Sequence, residues 1–468
     1  MIYVRTCAYN AEKTLERTIK SILNQTYSEF RYYILDNGST DGTRDIIQEY
    51  AELDSRIIPF YGEHNHDYTE CFEFWNMYYS LQDDDYICVL DADDAYAETF
   101  LEDTLQFLQD NNLDIAMCGT MFMDAKTWTP CAERTLPWNL LLVDQKSFED
   151  NFSLVYWNLR AIWGKLYSSK AAKYSLSPIK GMPEWYPYAY GGDTAEIFSI
   201  VGQVERIGIL AKPLHYYAVS PESVSHRWVE GREKSAPLLF RMGEALLEKK
   251  CGKVSLVNYR MLFAVYFSAV RDTIRVLFEA DVPLEKRLAI IDEIFFHPIT
   301  QKMFTMQFGV PNEERIEFFV YIVVKLLSLC MREKEDIYKK VEPIFNNINS
   351  DFSKLLSKES FSWYMENCPI VLRNVILREY EYAVNNLIVH LSKEENFPLV
   401  DYPYVLGQQL AAIREDEKKY VYLSKQLIRW CIMNGRFERA AGELEEWLVM
   451  LQGDEELLGL QKLLNAKR

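Results

Sequence analysis

Two rhythms of apolar and polar residues run through the first 125 positions. Ile2–Thr6, Arg31–Leu35, Ile57–Phe60, Tyr86–Leu90 and Ile115–Met123 are short runs rich in β-branched and aromatic residues, which predicts buried strands. Between them the apolar spacing changes to three and four. Leu15, Ile19, Ile22 and Leu23 share one face, so Ala11–Gln25 is predicted as an amphipathic helix with Asn10 as its N-cap. Ile46, Ile47 and Tyr50 mark a second helix, and Phe100, Leu101, Leu105 and Leu108 a third. Strand and helix alternating at this distance predict an α/β domain with a mostly parallel, Rossmann-like sheet covered on both faces. From about residue 230 Gly and Pro become sparse and helical spacing takes over, in 237–249, 257–279, 284–296, 314–331 and 334–341. The expected organisation is an α/β domain over 1–230, an all-α domain over 231–400 and a further helical segment over 401–468.

Composition narrows the class. The chain has 468 residues, 49% hydrophobic and 26% charged, which suits a folded protein of more than one domain. Its net charge is -18, with no basic stripe to displace counterions, so nucleic acid is excluded as a partner. The 9 cysteines are scattered without C-x-x-C spacing, as in a protein kept reduced. Strand-like sequence from Ile2 leaves no room for a signal peptide. The longest apolar run, Phe318–Met331, is broken by Lys325 and is too short for a transmembrane segment. The expected location is the cytoplasm, with peripheral attachment to the inner membrane face as a variant of it.

The candidate chemistry sits where strands end. Cys7–Asn10, Asp36–Thr43 and Asp91–Asp94 each follow a strand, and open α/β sheets bind ligands at that edge. Asp91, Asp93 and Asp94 crowd three carboxylates into four residues. They repel unless a cation lies between them, and Mn²⁺ or Mg²⁺ with phosphate oxygens would complete such a site. The plainer alternative is an acidic turn ahead of the third helix.

Four segments in register carry a resemblance: Cys7-Ala-Tyr-Asn10-Ala-Glu12, Ser21-Ile-Leu-Asn-Gln25-Thr-Tyr27, Asp36-Asn-Gly-Ser-Thr-Asp-Gly-Thr43 and Asp91-Ala-Asp93-Asp94. Together they resemble the GT-A glycosyltransferases of family 2 over roughly residues 1–125. The resemblance implies that Tyr9, Asn10, Asp36 and Asn37 grip the nucleobase. A uracil offers one N–H donor and two carbonyl acceptors, which an Asp oxygen and backbone amides can meet. Asn37 stands where the family commonly has Asp, which leaves the base open. The resemblance further implies that Asp91 faces the ribose or a metal-bound water, that Asp93 ligates the cation, and that Asp94 supports them. It departs around Trp75, where the family has Arg; His64, His66 and Asp67 are nearby candidates for donor contacts.

Residues 126–230 are rich in Trp and Tyr, among them Trp157, Trp163, Tyr167, Trp185, Tyr186, Tyr188 and Tyr190, which suit either sugar stacking or core packing. Trp163-Gly-Lys165-Leu-Tyr167 is similar to a family turn before the acceptor site. Gly191-Gly192-Asp193-Thr-Ala-Glu196-Ile-Phe198 is similar to the family's E-D-x-x-F segment, with Gly192 in place of Glu. The resemblance implies that Asp193 is the catalytic base, with Glu184 and Glu196 in reserve. His215 or His226 is implied as a further metal ligand, and Arg227 as a phosphate contact. Near the end, Asn434-Gly-Arg-Phe437 through Trp447 faintly resembles a tetratricopeptide half-repeat but has no second copy, so an irregular helical domain packed on the enzyme is expected, with a surface for a protein or glycan as the alternative.

Two function classes follow. The first is a metal-dependent inverting transferase moving a sugar from a nucleoside diphosphate sugar, a UDP-sugar first, to a glycan, lipid-linked or protein acceptor. The second is a binding or scaffold protein that keeps the fold without turnover and works through its helical part. A sugar-1-phosphate nucleotidyltransferase would need a Gly-rich basic loop after the first strand, and Cys7–Asn10 is not one.

Overall fold

The computed structural model describes residues 1–65, 72–176, 190–220, 227–304, 404, 407–408, 411–412 and 416–468. His66, Asp67, Glu184, Trp185, Tyr186, Tyr188, His226 and the helices expected at 314–331 and 334–341 lie outside them.

The chain divides into two compact units, Met1–Asp281 and Val282–Arg468. The first is built on a ten-stranded mixed sheet of order β3-β2-β1-β4-β9-β6-β10-β5, with β7 paired to β6 and β8 to β10. Its strands are β1 Ile2–Ala8, β2 Phe30–Asn37, β3 Ile57–Gly62, β4 Tyr86–Val89, β5 Ala95–Tyr96, β6 Ile115–Asp124, β7 Pro130–Arg134, β8 Leu140–Leu142, β9 Lys165–Ser168 and β10 Ile207–Val219. β3, β2, β1 and β4 are parallel, joined by right-sized helical crossovers as the spacing predicts. The run at Ile115 becomes β6, and β9 lies between it and β4, antiparallel to both. Its Lys165 and Tyr167 read as turn chemistry in sequence, yet both are buried.

Helix α1, Leu15–Leu23, starts four residues later than its apolar pattern suggests. Asn10 is not its cap. Asn10 has φ 49, and its Oδ1 accepts from the Thr40 amide at 2.8 Å, which ties the loop after β1 to the loop after β2. α1 buries Leu15, Ile19 and Ile22 completely, each contributing roughly 1.5–3 kcal/mol. The other helices around the sheet are α2 Thr43–Leu53, α3 Phe72–Ser80, α4 Phe100–Asp110, α5 Gln145–Leu159, α6 Ser169–Lys173 and α7 Gly192–Gln203. The expected domain end at 230 marks where strands give way to helices. The compact unit runs further, because α8 (Arg232–Cys251) packs on α5 and α7, and α9 (Leu256–Glu279) on α8.

The second unit is helical where described. Glu417–Met433 and Phe437–Met450 form a hairpin that turns at Gly435, φ 71, with Ala440 fully buried between helices. Glu455–Lys467 packs on both, and Lys425 pairs with Asp454 at 2.6 Å.

Candidate active site

The loops after β1, β2 and β4 meet at one sheet edge, because those strands are adjacent and parallel. The acidic turn after β4 is held from outside by α1. Thr14 Oγ1 donates to the Ala92 carbonyl at 2.9 Å, Thr18 Oγ1 to that of Asp94 at 2.7 Å, and Arg17 to that of Asp93 at 2.8 Å. Arg17 is itself stacked 3.5 Å over Trp128. All three pins use backbone carbonyls, so the turn keeps its shape without spending its carboxylates.

The three acids then separate into different roles. Asp94 is buried; its Oδ1 accepts from the Ala218 amide at 2.8 Å, and its Oδ2 pairs with His215 Nε2 at 3.0 Å. It is a strut between the turn and β10. Asp93 is exposed, and Asp91 half-buried. Among the described residues no hydrogen bond reaches the Asp91 carboxylate. Burial raises the Asp91 carboxyl well above the ordinary range, and Asp94, Asp193 and Asp93 raise it further, with Arg5 opposing them. Burial also raises Asp93, against Arg17 and His215.

His215 was expected as a metal ligand. Antiparallel pairing of β10 with β5 does bring it beside the turn. However, Nε2 is taken by Asp94 and the ring stacks 4.3 Å from Trp163, so only Nδ1, which has no hydrogen-bond partner among the described residues, is left to offer. Burial holds the imidazole neutral, with its pKa pulled down to about 3. Among the described residues no three His, Cys, Asp or Glu side chains form a ready-made metal cage. Asp91 and Asp93 fit a divalent cation as a two-carboxylate site that a diphosphate would complete, since a cation would relieve the repulsion that raises Asp91.

Asp193 stands in the first turn of α7, behind Gly191 with φ 92. It caps nothing. Its carboxylate is exposed to a cavity of about 460 Å³ and accepts no hydrogen bond among the described residues. The bulk of protein around it raises its pKa, while Arg5, Arg160 and Lys165 act against that rise. Trp157, Trp163 and Tyr190 line the same cavity, whereas Tyr167 is core. Lys165 is buried, and its ammonium donates to the carbonyls of Asn158, Ala161 and Trp163, which fixes the cavity wall.

Arg5 escaped the sequence reading. It is only 7% exposed, and its guanidinium lies 4.9 Å over the Trp75 ring and 5.6 Å over that of Tyr78. The cation absent at position 75 is thus supplied from β1 and stacked on that same Trp. It acts on Asp91, Asp193 and Glu196 together. The signal was present: in a strand buried on both faces, a lone Arg must have partners.

The residues expected around the base have internal work. Asp36 is fully buried, accepting from Arg44 Nε at 2.9 Å and the Ser39 amide at 3.0 Å. Asn37 Nδ2 donates to Asn65 Oδ1 at 3.0 Å, which leaves its Oδ1 as an acceptor. Tyr9 is 45% exposed at the rim. Arg227 is exposed and makes no ion pair among the described residues. Gly38 has φ 75, and a Cβ there would lie 2.8 Å from the Glu63 carbonyl oxygen. Gly38→Ala is therefore expected to cost roughly 1–3 kcal/mol and to loosen this loop. Urea melts would measure the loss, and an unchanged midpoint would refute it.

The sheet, with the acidic turn at its edge, is that of a GT-A-type domain. Residues 3–152 match the model described as glycosyl transferase family 2, and this part of the chain is a family 2 glycosyltransferase domain. The chain is 33% identical over 130 residues to the putative teichuronic acid biosynthesis glycosyltransferase TuaG of Bacillus subtilis, covering 28% of this chain and 50% of that one. It is 28% identical over 109 residues to the glycosyltransferase GlyG of Streptococcus pneumoniae, covering 23% and 35%. The chain therefore spans half or less of these relatives' length. Among solved structures, TarS 1-349 of S. aureus in complex with UDP-GlcNAc is similar with a TM-score of 0.44 at 14% identity, over 69% of this chain and 87% of that one.

Proposed function

We propose that this chain is an inverting, divalent-cation-dependent glycosyltransferase. It moves a sugar from a nucleoside diphosphate sugar, a UDP-sugar first, to a hydroxyl of a glycan, lipid-linked or protein acceptor. What supports the reading is one juxtaposition: the open carboxylates of the acidic turn and of Asp193 are near enough to interact electrostatically, and the second opens on an aromatic-walled cavity. Asp193 takes the proton of the acceptor hydroxyl as its oxygen attacks the anomeric carbon, a role that contributes about 10²–10⁴-fold in rate. Asp91 and Asp93 hold Mn²⁺ or Mg²⁺. The ion, when bound, neutralises charge on the departing diphosphate. Tyr9 and the Asn37 oxygen frame the base, Asn10 and Asp36 keep their loops in place, and Arg227 approaches the phosphates. The helical unit offers a surface to a protein or acceptor partner, and the site of action is the cytoplasm.

Melting curves with a panel of nucleoside diphosphate sugars and manganese test the reading. A donor at about 100 times its Kd stabilises the folded form by roughly 2.7 kcal/mol. The shift should vanish without manganese and in Asp93→Ala. If no donor moves the melting temperature, the reading is wrong. The binding-only alternative drew on the absent Arg near Trp75 and on Gly192; Arg5 answers the first. A protein that binds the donor and never hydrolyses or transfers it would favour that alternative.

A further inference from the structure

The cavity in front of Asp193 holds positive charge that sugar transfer does not itself require. Arg134, the last residue of β7, and Arg160, which caps α5, both line it. Each guanidinium rests on aromatic faces. Arg134 is 5.1 Å from the Phe122 ring and 5.8 Å from that of Trp163, and Arg160 is 5.3 Å from that of Trp157. Neither has a carboxylate within ion-pair distance, nor a side-chain hydrogen bond, among the described residues. They are close enough that Arg160, second to burial, depresses Arg134, whose pKa falls to about 10.

Two cations set against each other at a cost, in a chain with 69 acidic and 51 basic residues, require a reason. The dipole of α5 favours a cation at its C-terminus, which accounts for Arg160. It does not account for Arg134, which arrives from a strand. Arg232 shows the contrast. It lines the same cavity, but it is ion-paired with Asp272 at 2.9 Å and stacked 4.0 Å over Tyr190, so it braces the wall. A guanidinium stacked on a ring keeps its in-plane N–H groups for a ligand, and two of them match a phosphate or carboxylate.

We propose that Arg134 and Arg160 form an oxyanion-binding subsite of the acceptor cavity, so that the accepting hydroxyl is carried on a saccharide or polyol bearing a phosphate or a carboxylate. The proposal rests on the transferase reading above and names its acceptor class. The two arginines are specificity residues; Asp193 remains the base.

The test uses the full chain with manganese and whichever donor it hydrolyses. Acceptors are supplied as matched pairs: a hexuronoside against its hexoside, and a polyol phosphate against its polyol. In one pair the charged member should be preferred in kcat/KM by about 10²-fold, mostly through KM. The pair that responds tells carboxylate from phosphate. In Arg134→Gln/Arg160→Gln the preference should fall to within a few-fold, and in the double Lys variant it should be intermediate. Equal use of both members in both pairs by the wild type overturns the proposal without any variant, as does a double Gln variant that folds and keeps the full preference. A chain that neither binds nor hydrolyses any donor defeats the transferase reading first and takes this subsite with it.

Discussion

Asp193→Asn is expected to lower sugar transfer by about 10²–10⁴-fold while leaving the manganese-dependent, donor-induced rise in melting temperature in place. The amide matches the carboxylate in size but cannot accept the hydroxyl proton. Because Asp193 caps no helix and accepts no hydrogen bond among the described residues, the change costs the local fold no hydrogen bond. The wild-type pH profile should carry the same signature. The ordinary Asp value is about 3.9, and burial raises Asp193 above it in the folded protein. The base works ionised, so kcat/KM should fall as pH drops through that raised value. Stopped assays across acid pH would show the limb in wild type and its absence in the residual activity of Asp193→Asn. Wild-type turnover in the variant would move the base to another residue, Glu196 first.

Arg5→Met is expected to destabilise this part of the fold. Arg5 is the buried cation that Asp91, Asp193 and Glu196 share. Arg5 is buried, but its carboxylate partners are half-buried or exposed, so solvent screens part of the loss and the expected cost is about 1–3 kcal/mol. The pH dependence has a definite sign. Without Arg5 the folded-state carboxyls rise further above their unfolded values, so the folded state binds more protons than the unfolded one. Their stability contribution is then present below the unfolded pKa and lost as pH rises through the folded pKa. The deficit of the variant should be large at neutral pH and shrink toward pH 4. Urea titrations at the two pH values would measure this. A deficit that does not change with pH would mean that Arg5 matters for packing on Trp75 and Tyr78 alone. Arg5→Lys, which keeps the charge, should recover part of the loss.

Much of the first unit could be read from periodicity. β1 to β4, α1, α2 and α4 announce themselves because each buries one regular face, and the acidic turn stands out because charge appears abruptly after an apolar strand. The sheet beyond β4 was less legible. β9 is four residues long and starts with a buried Lys, whose ammonium is satisfied by three carbonyls, a pattern that only tertiary structure supplies. The nucleobase residues were read as gripping a ligand; in the fold Asn10 ties its loop to the loop after β2, and Asp36 accepts from Arg44 of α2 and from the Ser39 amide. His215 was placed beside the acids without its pairing to Asp94, because the partner lies 121 positions away. Arg134 and Arg160 left no trace in sequence at all. They sit 26 positions apart, one on a strand end and one on a helix end, and the fold alone makes them neighbours.

The three pins from α1 to the turn at residues 91–94 grip main-chain oxygens and ignore the side chains. Geometry and charge are therefore separately heritable at this spot. A lineage could exchange Asp91 or Asp93 for a neutral residue and lose the proposed cation site while the surrounding architecture persisted. Silent descendants of such an enzyme would be recognisable by an intact Thr14, Arg17 and Thr18 beneath a turn stripped of acid.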